Sequence, residues 1–147
     1  MTAGKLVTIV TSTATVCVFD PALVRHKLDD DCDWWSIPGA ELAAVNAGRV
    51  AFFNVGGDGA YDLVLHAELA EPHASVHLAV ASGRVFIGAG EDVTGGGLEP
   101  DTAFGGLFLD VPAGRYRVQA RRDGAHISLA FVPDACSSNA FGDLVRI

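Results

Sequence analysis

The amino-acid sequence predicts a mostly β fold, an antiparallel two-sheet β-sandwich of jelly-roll-like type, with one or two short helices in the N-terminal third. Short apolar runs rich in β-branched residues recur along the chain. The 17 glycines fall between those runs, where tight turns are expected. Half of the residues are hydrophobic and only 19% are charged, which excludes a disordered chain. We expect a single β-sandwich domain over residues 1–147.

The predicted elements follow from these runs in chain order. Strands are predicted over residues 6–11, 14–19, 49–55, 60–69, 74–81, 84–88, 104–110, 115–122 and 125–132, with a further short strand at 144–147. Asp20 and Pro21 indicate a helix start, with Asp20 as the N-cap, and predict a short helix over 21–28. A second helical stretch at 41–45 is expected to end near Gly48.

Two hairpins are predicted from turn signals. Asp123 and Gly124 form a two-residue turn signal, and closing the hairpin there sets Val118 opposite Leu129. One face of that hairpin is then apolar and the other polar, as a sheet with one buried face requires.

The second hairpin closes through the loop at residues 70–73. It sets Leu65 opposite Leu78 and makes His66 and His77 cross-strand neighbours on the solvent face.

The predicted pairing of His66 with His77 suggests a metal site. With Glu68 nearby, two imidazoles and a carboxylate are chemically able to bind zinc. The alternative is a solvated polar face that carries two histidines. A metal-dependent enzyme, or a small-ligand-binding sandwich that uses this face, is therefore the second function hypothesis.

Charge and motifs exclude several classes of protein. The net charge of -8 and the pI near 4.8 argue against nucleic acid as a ligand and favour a basic partner. No apolar run is long enough to span a membrane. Without a Gly-x-Ser-x-Gly motif or a phosphate loop, we expect no enzyme activity and no cofactor.

The cysteines indicate a reducing compartment. Cys17, Cys32 and Cys136 are far apart and odd in number, so they form neither a disulfide framework nor a zinc ribbon. We therefore expect free thiols and a cytoplasmic location.

Residues 29–35, the acidic–tryptophan segment, are the most distinctive part of the sequence. The segment consists of Asp29, Asp30, Asp31, Cys32, Asp33, Trp34 and Trp35. Aspartates steer basic partners, and tryptophan is a favoured interface anchor. The segment is therefore a candidate partner-binding site. The alternative is that both tryptophans are core residues and the aspartates cap turns and helices.

A strip of four arginines lies on one predicted strand and its turn: Arg115, Arg117, Arg121 and Arg122. Three of them share the exposed face. They either bind an anion or a carboxylate-rich partner, or balance the acidic remainder of the chain.

Residues 108–118 read Phe-Leu-Asp-Val-Pro-Ala-Gly-Arg-Tyr-Arg-Val. This stretch resembles small bacterial β-sandwich proteins of the competence protein J type, which inhibit a nuclease. The whole chain also resembles an uncharacterised bacterial domain family that carries Asp-Trp-Trp and a later Gly-Gly-Asp-Gly. The resemblance implies a binding or inhibitory protein and assigns no functional residue.

The leading hypothesis is a non-enzymatic, acidic protein-binding module in the cytoplasm. It would act as an inhibitor or an immunity-like protein on a basic partner, either as a monomer or as a homodimer.

Overall fold

A computed structural model of the chain describes residues 6–11, 14–20, 22, 42–43, 45–89, 106–135, 139–141 and 145–147. Nine strands lie within these ranges. They are β1 (Leu6–Thr11), β2 (Thr15–Phe19), β3 (Val50–Asn54), β4 (Gly59–His66), β5 (Ala74–Val80), β6 (Arg84–Ala89), β7 (Leu107–Asp110), β8 (Gly114–Asp123) and β9 (His126–Pro133).

The strands form two sheets that pack as a sandwich, which confirms the predicted fold class. The five-stranded sheet has the order β1-β4-β9-β8-β5, and the four-stranded sheet has the order β3-β2-β6-β7. Neighbouring strands are antiparallel except β4 and β9, which run parallel.

The five-stranded sheet has one buried face and one polar face. Side chains alternate along β4, where Tyr61, Leu63 and Leu65 are buried and the residues between them are partly exposed. The alternation continues along β5, and in β8 and β9 it is interrupted where Gln119 and Ala130 are buried as well; the inner faces of these strands supply much of the core.

The four-stranded sheet is buried on both faces along its two central strands. Every residue of β2 is buried, as is every residue of β6 after Arg84. On one face of this sheet, the Phe86 ring lies 5.7 Å from that of Phe19 and 5.2 Å from that of Phe108. This sheet therefore lacks the simple alternation that a sandwich with two wet faces would show.

The β8–β9 hairpin forms as predicted but with its register shifted by two residues. Val118 lies opposite Phe131, and the two-residue loop is Gly124 and Ala125. Gly124 has a φ of 64°, the conformation that a type II′ turn requires at its first loop position. Because side chains alternate with a period of two, the predicted apolar face is still correct.

The predicted hairpin between β4 and β5 is wrong. β4 pairs with β1 and β9, and β5 pairs with β8, so two strands separate β4 from β5. The connection after β4 crosses those strands instead of turning back, and the Leu69 N–H donates to the buried Gln119 side chain on the way.

Of the predicted helix over 21–28, only Ala22 lies among the described residues, and of the second stretch at 41–45, Leu42, Ala43 and Val45 do; these residues are helical. The Asp20 carboxylate accepts a hydrogen bond from the Ala22 N–H, as an N-cap does, and Ala22 is helical. Val45 and Asn46 end the second stretch, and the Gly48 φ of 73° provides the left-handed cap. Among the described residues, no helix has the length and apolar character to cross a membrane.

The C-terminal residues close one side of the sandwich. The Asn54 N–H of β3 donates to the Val145 carbonyl, and the Ile147 N–H donates to the Asn54 carbonyl. The Asn139 side chain accepts from the His77 N–H of β5 and donates to the His77 carbonyl. The exposed edges of β3 and β5 are therefore both hydrogen-bonded to the tail.

Candidate functional site

Asp20 is a buried carboxylate that connects β2 to the turn between β5 and β6. Its Oδ2 accepts from the N–H groups of Ala81 (2.8 Å) and Ser82 (2.6 Å). Its Oδ1 accepts from the Ser82 hydroxyl (2.7 Å) and the Ala22 N–H (2.9 Å). Burial acts to raise the pKa of Asp20, but the hydrogen bonds from Ser82, Ala22 and Ala81 outweigh it and hold the pKa below its usual value of 3.8.

Several features meet at the end of the sandwich that Asp20 occupies, called the Asp20 end below. β2, β5 and β9 finish there and β8 begins there, because Val80 pairs with Gly114 and Pro133 pairs with Tyr116. The chain leaves this end after Asp20. It returns to the same end at Gly48, whose carbonyl accepts from the Ala79 N–H.

The acidic–tryptophan segment belongs to the stretch of chain between those two anchors. Its candidate residues Asp29, Asp30, Asp31, Asp33, Trp34 and Trp35 lie outside the described residues. The described residues on either side are held firmly, by the Asp20 bonds before it and by the β5 edge after it.

A small open cavity of about 300 Å³ also lies at the Asp20 end. It is lined by Ala67, Val111, Pro112, Tyr116, Phe131 and Pro133. The Tyr116 hydroxyl donates to the Pro112 carbonyl four residues earlier at 2.6 Å and so fixes the turn into β8. The motif that carries the sequence resemblance therefore builds this rim.

Tyr61, at the start of β4, makes the same kind of hydrogen bond as Tyr116 does. The Tyr61 hydroxyl donates to the Gly57 carbonyl, also at 2.6 Å and also four residues earlier. The sequence signal for both contacts is the Gly-x-Tyr spacing, present at Gly59–Tyr61 and at Gly114–Tyr116. Both tyrosines of the chain thus serve as turn anchors.

The arginine strip is held by intramolecular acceptors. Arg117 donates to the Asp134 carboxylate (3.2 Å), and Arg115 donates to the Ala135 carbonyl (3.0 Å). Arg121 donates to the Asp123 carboxylate and to the Glu71 carbonyl. Arg122 donates to the carbonyls of Ile147 and Gly124. These contacts favour the reading in which the strip balances nearby carboxylates.

His66 and His77 are not neighbours. Both lie on the outer face of the five-stranded sheet, but β9 and β8 separate their strands, which places them about 14 Å apart across the sheet. His77 instead contacts Asp134 at 3.3 Å. Glu68 lies in the connection after β4, two residues after His66 in the chain. The predicted adjacency fails because the hairpin that required it does not form.

No group of three potential ligands among the described residues is arranged to hold a metal ion. Asp62 accepts from the Thr8 hydroxyl at 2.6 Å and lies 3.7 Å from His126, so these side chains contact one another in a cross-strand cluster. The buried Cys17 thiol donates to the Ala89 carbonyl at 3.3 Å. Cys32 and Cys136 lie outside the described residues.

These features define a two-sheet β-sandwich. At one end, the Asp20 carboxylate is bonded to the turn between β5 and β6, and the Gly48 carbonyl is bonded to β5. The chain belongs to the family of unknown function DUF6386, whose model matches residues 1–147. No curated protein matches the sequence.

Two solved structures share this fold. ComJ from Bacillus subtilis, the inhibitor of the DNA-degrading activity of NucA, matches with a TM-score of 0.55 at 13% identity, over 90% of this chain and 98% of ComJ. The protein of crocagin biosynthetic gene J matches with a TM-score of 0.57 at 17% identity, over 91% of this chain and 99% of that protein. These matches extend the similarity from the short Val-Pro-Ala-Gly motif to nearly the whole chain.

Proposed function

We propose that this protein is a non-enzymatic inhibitor that binds a basic protein partner through the acidic–tryptophan segment, and that it acts in the cytoplasm. The observation that carries the proposal is the fold shared with ComJ over nearly the full length of both chains. A nuclease is the first class of partner to test.

The distribution of charge supports a binding role for the connecting segments. The described residues carry seven arginines and eight carboxylates, so their charges almost cancel. Ten of the 18 acidic residues and only three of the 10 basic residues lie in the other parts of the chain. The attraction for a basic partner therefore originates in those segments, and residues 29–33 contain four aspartates in five positions.

The described residues Asp20 and Gly48 precede and follow this segment in the chain, and both lie at the Asp20 end, where Asp20 is bonded to the turn after β5 and the Gly48 carbonyl accepts from the Ala79 N–H. The cavity beside Tyr116 and Pro133 is large enough to receive one apolar side chain of the partner.

The test is capture of a partner from the lysate of the native host at low and at high salt. The wild-type chain is compared with a variant carrying Asp30→Asn, Asp31→Asn and Trp35→Ala. We expect a stoichiometric basic protein that high salt releases, and an affinity loss of about 30-fold or more in the variant, as for an interface hot spot. The captured protein is then assayed for nuclease activity with and without the wild-type chain.

The matched control carries Asp58→Asn and Asp110→Asn. It also removes two negative charges, but at exposed positions of the described fold. The control should bind like wild type. Equal capture by the wild-type chain and the triple variant would show that the segment is not the interface. A captured partner whose activity the chain leaves unchanged would refute inhibition.

A further inference from the structure

Among the residues that the structure describes, no strand pairs with the outer edge of β1. The edges of β3 and β5 are hydrogen-bonded to the C-terminal residues and to Gly48. β7 is protected differently, because it has only four residues, ends in Asp110 and is followed by Pro112. β1 has six residues and contains no proline and no charge. In the part of the chain that the structure describes, β4 is its only partner strand.

The pairing with β4 decides which β1 backbone groups face outward. The Asp62 N–H donates to the Ala125 carbonyl on the β9 side, so the backbone groups of Asp62 point away from β1. Asp62 lies opposite Thr8, which makes this a non-hydrogen-bonded pair of the antiparallel ladder. The N–H and C=O groups of Thr8, and by alternation those of Leu6 and Val10, therefore point to the open edge.

The types of residue along this edge are arranged symmetrically about Thr8. The order Leu6-Val7-Thr8-Ile9-Val10 is apolar on both sides of a central threonine. A two-fold axis through Thr8 sets Thr8 opposite Thr8 of a second copy, Leu6 opposite Val10, and Val7 opposite Ile9. All three outward-facing residues of each strand fall in hydrogen-bonded pairs, which gives six interchain bonds.

We propose that β1 pairs with β1 of a second copy of this chain, which joins the two five-stranded sheets into one ten-stranded sheet. Val10 is 56% exposed and is the large hydrophobic side chain most open to solvent among the described residues. The two-fold pairing places the second copy's β1 beside it. This contact does not depend on the proposed inhibitory function.

Charge favours a second copy over a basic partner at this edge. Two chains of net charge -8 repel each other, so self-association needs a neutral contact. β1 provides one, since it carries no charge itself and the carboxylate on its partner strand, Asp62, is bonded to Thr8 and lies near His126. Three strand spacings separate the two Asp62 side chains in the pair, about 14 Å, beyond the screening length of about 8 Å at physiological salt.

The test is sedimentation equilibrium of the full chain, combined with hydrogen exchange at low and high protein concentration. We expect a dimer that added salt strengthens. The amides of Thr8 and Val10 should become protected as the concentration rises, while those of Val7 and Ile9, bonded to β4, stay protected throughout.

The decisive variant is Val10→Pro, which removes an outward N–H that has no ladder partner within one chain. It removes two of the six interchain hydrogen bonds and should raise the dimer dissociation constant at least about tenfold. Val10→Thr keeps the N–H and the β-branched shape and should leave the dimer intact. Far-UV circular dichroism of both variants checks that the monomer still folds.

Three results would overturn the pairing. The first is a chain that stays monomeric at the highest concentration. The second is a dimer that Val10→Pro does not weaken, which would place the interface elsewhere. The third is protection of the Thr8 and Val10 amides only after another protein is added, which would assign the edge to a different partner.

Discussion

Asp20 shows how one residue serves two purposes. Its side chain caps the chain segment that follows β2, and the same carboxylate accepts two N–H groups and a hydroxyl from the turn between β5 and β6. Because β2 and β5 belong to different sheets, this single fully buried side chain links the two layers at the Asp20 end.

Asp20→Asn should therefore destabilise the fold by about 3 kcal/mol, because the amide NH₂ would face groups that are themselves donors. Urea denaturation measures the change. Asp110→Asn, at an exposed position, is the matched control and should stay within about 0.5 kcal/mol of wild type. Equal unfolding midpoints for the wild type and Asp20→Asn would contradict this account of the site.

The pH dependence of the unfolding free energy should also reflect the hydrogen bonds of Asp20. The folded-state pKa of Asp20 is lowered by its hydrogen bonds, so the ionised side chain stabilises the fold above the usual carboxyl pKa. That contribution is lost as the pH falls through the folded pKa. The unfolding free energy of Asp20→Asn should consequently fall less steeply than that of wild type below about pH 4. Parallel curves would argue against the shift.

At the scale of elements, the C-terminal tail forms hydrogen bonds with the outer edges of β3 and β5. Asn139 donates to the carbonyls of Val45 (2.7 Å) and His77 (2.9 Å) and accepts from the His77 N–H (2.8 Å). The Asn46 side-chain amide donates to the Phe141 carbonyl and accepts from the Phe141 N–H. Edge strands need such protection because their unpaired backbone groups promote aggregation.

Asn139→Asp should disrupt these hydrogen bonds, since a carboxylate cannot donate and would face two carbonyl oxygens. We expect a loss of about 2 kcal/mol and faster hydrogen exchange at the His77 amide. Ala140→Asp adds the same charge at the neighbouring exposed position and is the control. A variant whose His77 amide exchanges like wild type would show that the tail does not depend on Asn139.

At the scale of the whole molecule, protection from solvent is uneven between the sheets. The central strands β2 and β6 are buried on both faces, whereas the five-stranded sheet has a polar outer face and, within the described ranges, no strand beyond β1. Stability against local opening should follow this pattern, because the most buried and doubly paired strands open only with the whole fold.

Native-state hydrogen exchange should therefore find its slowest amides in β2 and β6. The exchange should be fastest at Thr8 and Val10 in the dilute monomer and intermediate in β7, which is an edge strand of four residues. Measurement of individual amides by NMR tests this order. Exchange in β2 as fast as in β7 would mean that the four-stranded sheet opens separately from the rest.

The sequence predicted local features well and strand neighbours poorly. β1 was predicted with its observed bounds, and the N-cap at Asp20 was identified from its position before Pro21. The apolar face of the β8–β9 hairpin was correct despite a register error of two residues. The pairing of β4 with β5, and with it the adjacency of His66 and His77, was wrong.

The amino-acid sequence alone determined where strands form and which face of each is buried, because strand geometry and side-chain alternation are local properties of the backbone. Only the tertiary structure decided which strands are neighbours, since the apolar set of β4 fits beside any strand of matching alternation and the choice depends on packing between distant residues. The same long-range packing separates His66 from His77, buries Asp20 at one end of the sandwich and gives β1 a single partner strand among the described residues.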